Sequence, residues 1–172
     1  MIEPNPLMYP KLYTNRPHAH KLSYAPSCSL EEEKEGKMIM FHDYDQPNAG
    51  VTGYAKTYDG RHEVPVPCGS LTPAILDLIP DGRINFFSLD VEGAEPLVLE
   101  NIDFNQVFID VLMVESMNIH CPLEPAPCET REKARAIMEK EGFIFYKAKI
   151  YKSDVFINPK SDLLARVQVE SS

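Results

Sequence analysis

One stretch constrains the chain more than any other. Asn85-Phe86-Phe87-Ser88-Leu89 is an apolar run that stops abruptly at Asp90-Val91-Glu92-Gly93-Ala94-Glu95, three carboxylates around one glycine. A short apolar run closed by charged residues, with a helical pattern after it, predicts a buried strand opening at the mouth of an α/β sheet. Such sheets bind ligands outside the carboxyl ends of their strands, so this acidic group lies where chemistry is expected.

The flanking segments fit that frame. Ala94 to Asn101 reads as a short helix with Pro96 near its start, and Val107 to Val114 as a second apolar strand ending in Glu115. Two strands joined through a helix predict a parallel βαβ unit. Ser116 to Glu129 reads as an irregular loop, and Thr130 to Glu141 as a helix with Ala134, Ile137 and Met138 inward and Gly142 at its stop. Phe143 to Ile150 and Asp154 to Ile157 predict a closing antiparallel hairpin, with a frayed tail after Pro159.

Upstream, Ser70 suits the cap of a helix carrying Leu71, Ala74, Ile75 and Leu78 at helical spacing, and Pro80-Asp81-Gly82 suits the turn that ends it. Val64 to Val66 predicts an extended segment kept to an edge by Pro65 and Pro67. Asp45 to Gly60 reads as a loop, Met38 to Phe41 as a strand, Glu31 to Lys37 as a solvated turn, and His20 to Ala25 as a short strand. Met1 to Pro6 resembles the end of a strand and the start of a helix, with Asn5 as cap and Pro6 in the first helical position. Pro10 keeps that helix short or bent.

Composition bounds the function classes. The chain has 172 residues, 44% hydrophobic and 25% charged, enough for a globular domain with a real core. Its net charge of −9 argues against nucleic acid or an anionic membrane surface as partner. No apolar stretch is long enough to cross a bilayer, and no basic-then-apolar leader follows Met1, so a soluble chain is expected. Cys28, Cys68, Cys121 and Cys128 lack a C-x-x-C spacing and are expected as free thiols, with a Cys121–Cys128 bridge as the alternative in an oxidising compartment.

Among the carboxylates, Asp90 closes the strand, where a functional role is expected, and Glu92, two residues later, suits a functional or a structural role equally. Gly93 between the acids permits a tight turn or a close approach. Glu95 falls in a first helical turn, where the helix dipole favours a negative charge. Glu115 reads as a structural hydrogen-bond acceptor. A magnesium or calcium ion on Asp90 and Glu92 is a weaker alternative, and no EF-hand spacing occurs. The five histidines are scattered, with His120 alone in a loop after a strand. No G-x-S-x-G, H-E-x-x-H or P-loop pattern is present.

Phe87-Ser88-Leu89-Asp90-Val91-Glu92-Gly93-Ala94-Glu95, then Val98-Leu99, then Ile109 to Glu115 resemble the FkbM-type methyltransferase family, whose (I/L)-D-V-E-G-x-E block is its most recognisable feature. Ile2-Glu3-Pro4-Asn5-Pro6 resembles that family's second-strand motif, and Val66 to Leu71 the approach to its fourth strand. Gly142-Phe143 and Asp154-Val155-Phe156 also fit, so the resemblance runs from Met1 to about Asn158, with 159–172 as a tail.

The resemblance implies a Rossmann-like class I methyltransferase sheet, S-adenosylmethionine as cofactor and methyl transfer to a hydroxyl of a small molecule or glycan. Glu3 would bind the cofactor's ribose hydroxyls, Asp90 would orient or deprotonate the acceptor, and Glu92 would fix substrate or loop geometry. The family's first strand and glycine-rich loop would lie ahead of Met1, which implies a partial copy of the domain with an incomplete sheet. Animal relatives resembling the protein Star carry a similar block and imply a second reading, a non-catalytic module of the secretory pathway.

Overall fold

Ile2 bridges Leu22 in parallel, so the chain's first residues form one side of a minimal strand–helix–strand turn. The computed structural model describes residues 1–42, 49–54, 62–116 and 125–166, with backbone alone at 125–127 and 147–149. These residues form two units, Met1–Leu71 with Val91–Asn101, and Thr72–Asp90 with Ile102–Ser172. The architecture is mixed α/β, with one antiparallel and one mixed sheet.

In the first unit Asn5 caps a turn, and the regular helix starts later than its sequence predicts, after Pro10. The Asn5 Oδ1 accepts from Leu7 N at 2.9 Å, and its carbonyl accepts from Tyr9 N at 2.8 Å. Pro10 then confines the regular helix α1 to Lys11–Asn15. His20 to Ala25 forms only isolated bridges, at Leu22 and Ala25, rather than a strand. The acidic run is a helix and not a turn. α2, Leu30–Lys34, starts at Ser29, whose Oγ accepts from Glu32 N while the Glu32 carboxylate accepts from Ser29 N. That reciprocal cap satisfies two otherwise orphaned donors, which is why so short and charged a segment winds up.

β1 (Met38–His42) and β2 (Glu63–Pro67) pair antiparallel, with Ile39 opposite Val66 and His42 opposite Glu63. Both strands of a two-stranded sheet are edges, so Pro65 and Pro67 are tolerated. Ala25, Phe41 and Val66 form the core beside this sheet, with Ile39, Val51 and Val64 around it. Of the loop expected at Asp45 to Gly60, residues 49–54 are described and make a turn, with Val51 bridging Phe41; the remainder lies outside the described residues.

The expectation of four free thiols is overturned. Cys28 and Cys68 are joined by a disulfide with Cα atoms 5.6 Å apart, and both are buried. Ala25 bridges Cys68 alongside it, so the bond ties the segment before α2 to the end of β2. Cys128 is also disulfide-bonded. Cys121, its partner in the alternative reading, lies outside the described residues.

The second unit holds α3 (Leu71–Leu78, from its second residue on), β3 (Arg83–Leu89), β4 (Phe108–Glu115), α5 (Pro125–Lys140), β5 (Ile144–Ile150) and β6 (Ser153–Ile157). The chain between β3 and β4 runs through α4, Glu95–Glu100, which belongs to the first unit. The sheet order is β3-β4-β6-β5. β3 and β4 are parallel, as the βαβ pattern predicts, with Ile84 opposite Ile109. β6 lies antiparallel between β4 and β5, closing the expected hairpin.

β3 is not the buried strand the apolar run suggested. It is the terminal strand of its sheet, Leu89 is its one buried residue, and Phe86 is 57% exposed. A partner on one side leaves half its backbone groups and much of its side-chain surface uncovered. The buried strand is β4, where Ile109, Leu112 and Val114 are buried, as are Met138 of α5 and Val155 and Phe156 of β6. α5 begins five residues earlier than expected. Pro125 and Pro127 fall in its first turn, where a missing N–H costs no helical bond.

Asp110 lies in the middle of β4 and is 1% exposed. It accepts from Arg83, Asn85 and Ser161, the last at 2.5 Å, and its carbonyl accepts from Asn158 N. The segment after Pro159 is therefore pinned to β4 as far as it is described, not frayed. No helix among the described residues is long and apolar enough to cross a membrane.

Candidate active site

The acidic motif is built by a turn that ordinary backbone would not hold. Asp90 follows the last residue of β3 and is exposed. Val91, Glu92 and Gly93 then make the turn into α4. Glu92 has φ 55° and Gly93 φ 101°, two successive residues in the left-handed region. Glycine adopts such angles freely, whereas for glutamate they are strained.

The side chain that holds this turn is Glu95. It is 2% exposed, and its Oε1 accepts from Val91 N at 2.9 Å and from Gly93 N at 3.2 Å. The residue between those two donors is Glu92. Glu95 also opens α4, with Pro96 beside it in the first turn, so the charge sits at the favoured helix end. Sequence reasoning assigned it that dipole role alone. The reach back to Val91 and Gly93 is the further finding, and an acid just after a glycine turn is its only local signal.

Gly93 is required for a second reason. A Cβ there would lie 2.7 Å from the backbone oxygen of Tyr54, so that segment rests directly on the turn. Tyr54 itself is 48% exposed. The loop reading of residues 45–60 did not single it out.

Glu3 occupies the end of the Ile2 bridge. Its N–H donates to Leu22 O at 3.0 Å, and its Oε1 accepts from Asn5 N at 2.9 Å. Burial raises its carboxyl above the ordinary value, and the Asn5 N–H partly offsets that. One hydrogen bond leaves a carboxylate with further acceptor sites, and the Asn5 bond fixes its orientation.

The structure thus places Glu92, Glu95 and Glu3 in the first unit, and Asp90 at the end of β3 in the second. Glu115 is the last residue of β4 and is partly buried. His120 lies outside the described residues.

Comparison with known proteins places this geometry in context. No curated protein and no solved structure gives a match. The family model described as the methyltransferase FkbM domain matches residues 1–145, most of the chain and all of the acidic motif. The chain belongs to the FkbM methyltransferase domain family.

Proposed function

We propose that the chain is an S-adenosylmethionine-dependent O-methyltransferase domain of Rossmann-like kind spanning Met1 to about Asn158. The observation that carries this reading is the Asp90–Glu95 segment, a family motif held in a fixed, strained turn at the end of a strand parallel to its neighbour. The β5–β6 hairpin supports the sheet reading.

The bound cofactor supplies a methyl group activated on sulfur. Glu3 accepts hydrogen bonds from its ribose hydroxyls, as an acid at that strand end does in dinucleotide folds. Asp90 accepts the acceptor's hydroxyl proton and aims its oxygen along the line of displacement. Glu92 sets the acceptor's approach. Most of the barrier reduction comes from positioning, and the base contributes a smaller factor. The acceptor is a hydroxyl of a small molecule or glycan.

Saturation-transfer NMR with millimolar S-adenosylhomocysteine tests the cofactor half. Saturation is expected at the ribose protons of a weakly bound ligand, and Glu3→Gln should weaken binding about 10-fold, in line with a hydrogen bond to a charged group. No transfer to the native chain at all would sink the reading.

One observation favours the second reading, a module of the secretory pathway. The Cys28–Cys68 disulfide is the kind of bond that persists in oxidising compartments. Trapping thiols during isolation tests it, and two reduced cysteines at those positions would remove its support.

A further inference from the structure

We infer that Glu95 is a positioning residue for Glu92. It sets the direction of the Glu92 carboxylate without itself touching cofactor or acceptor. The inference rests on the reading that Glu92 fixes acceptor geometry, and it assigns the cause of that fixity.

The argument starts from backbone energetics. A non-glycine residue in the left-handed region costs roughly 1–2 kcal/mol and persists only where its surroundings over-determine it. Glu92, at φ 55°, has no β-amide or short polar side chain to ease that conformation. The over-determination is visible on both sides of it. Val91 N and Gly93 N converge on one oxygen, Glu95 Oε1, at 2.9 and 3.2 Å. The peptide after Glu92 and the peptide before Val91 are thereby tied to one buried point, one on each side of the Val91–Glu92 pair.

Glu95 is in turn immobilised by its own position. It is the first residue of α4, where its backbone is helical, and it is 2% exposed. On the outer side, the Tyr54 carbonyl rests against Gly93 and blocks the turn from opening in that direction. A buried carboxylate is an expensive way to gain stability, because its charge must be taken out of water. Charge-assisted bonds from two amides are an effective way to gain geometry. Glu92, partly exposed and standing between those amides, is the residue whose direction this arrangement decides.

Amide hydrogen exchange and the 13C signal of the Glu92 carboxyl test this on the whole chain, with Glu95→Gln and Glu95→Ala. Gln keeps an Oε1 acceptor, so slow exchange at Val91 and Gly93 and the native Glu92 signal should both survive. Ala should speed exchange at those two amides by at least about 10-fold, the loss of one net hydrogen bond. It should also shift the Glu92 carboxyl signal, while Ile109 and Leu112 keep their native exchange. Unchanged exchange or an unchanged Glu92 signal in the Ala variant would overturn the assignment. So would uniform acceleration across all four amides, which marks a merely structural residue. Should the Ala variant fail to fold, Glu92→Gly supplies the second arm. Glycine relieves the strain, so Glu95→Ala should fold and be tolerated better in the Glu92→Gly background, and an equal loss in both backgrounds refutes the inference. None of these readouts uses methyl transfer, so a failure of the cofactor titration is distinct from a failure here.

Discussion

The Arg83 guanidinium donates to both carboxylate oxygens of Asp110, at 2.9 and 3.1 Å, across the parallel pair β3–β4. Arg83 also lies 4.7 Å from the Phe108 ring centroid, which fixes its plane. Asn85 and Ser161 complete the shell around a carboxylate that is almost wholly buried. The Arg83 side chain is 44% exposed and is hydrated once freed, so the group that Asp110→Ala strands in the interior is the buried Ser161 hydroxyl. Asp110→Ala is expected to lower unfolding stability by about 1–3 kcal/mol, read from urea denaturation.

The same carboxylate gives a pH dependence with a definite sign. Burial alone would raise the Asp110 carboxyl, but hydrogen bonds from Ser161 and Asn85 and the charge of Arg83 outweigh that and hold it below its ordinary value. A depressed native value means that its stabilisation is fully present above the unfolded carboxyl range and is lost as pH falls through the native value. The urea midpoint of the native chain should therefore fall in acid below about pH 4, the ordinary aspartate value. Asp110→Asn should show a shallower fall over that window, and an unchanged acid slope would contradict the account.

These two residues also show what the sequence could and could not reveal. Asp90, Glu92 and Glu95 stand within six positions, so their strand-end placement and the turn at Gly93 were legible locally. Asp110 was hidden inside an apolar run, and its partners Arg83, Asn85 and Ser161 lie far from it in sequence. The Cys28–Cys68 bond joins residues 40 positions apart, a pairing that spacing cannot choose. β3 was misjudged because apolar content reports strand propensity, whereas burial depends on how many neighbours the sheet supplies. α2 differs again, since Ser29-x-x-Glu32 is a local cap signal that stands at the head of a charge run and sets its conformation.

The Cys28–Cys68 bond closes a loop of sequence separation 40, and chain-entropy reasoning assigns such a loop about 4 kcal/mol. The double variant Cys28→Ala with Cys68→Ala should lose stability of that order, seen as a lower urea midpoint under non-reducing conditions. Native protein in reductant should approach the variant. A double variant as stable as the oxidised native chain would show the bond to be incidental.

Ser29 offers a smaller, local prediction. Its Oγ is one half of a reciprocal cap, and it accepts from Glu32 N at 3.3 Å. Ser29→Ala should cost about 1 kcal/mol, while Ser29→Asp, which keeps an acceptor, should cost little. Thermal unfolding of the three proteins side by side distinguishes a cap from a surface serine, for which all three would melt together.

Gly93 concentrates two separate penalties at one position, and a control elsewhere in the chain divides them. Gly93→Ala meets backbone strain at φ 101° and a Cβ 2.7 Å from Tyr54 O, a backbone atom that cannot swing aside. Gly36 has φ 72° with nothing within 4 Å of its added Cβ, so Gly36→Ala carries the strain without the collision. The Gly36 variant should lose about 1 kcal/mol from backbone conformation. The Gly93 variant should lose clearly more, and the excess reports how firmly the Tyr54 segment is seated on the turn. Equal losses would mean that this segment moves away readily, and that Glu95 alone holds the motif in place.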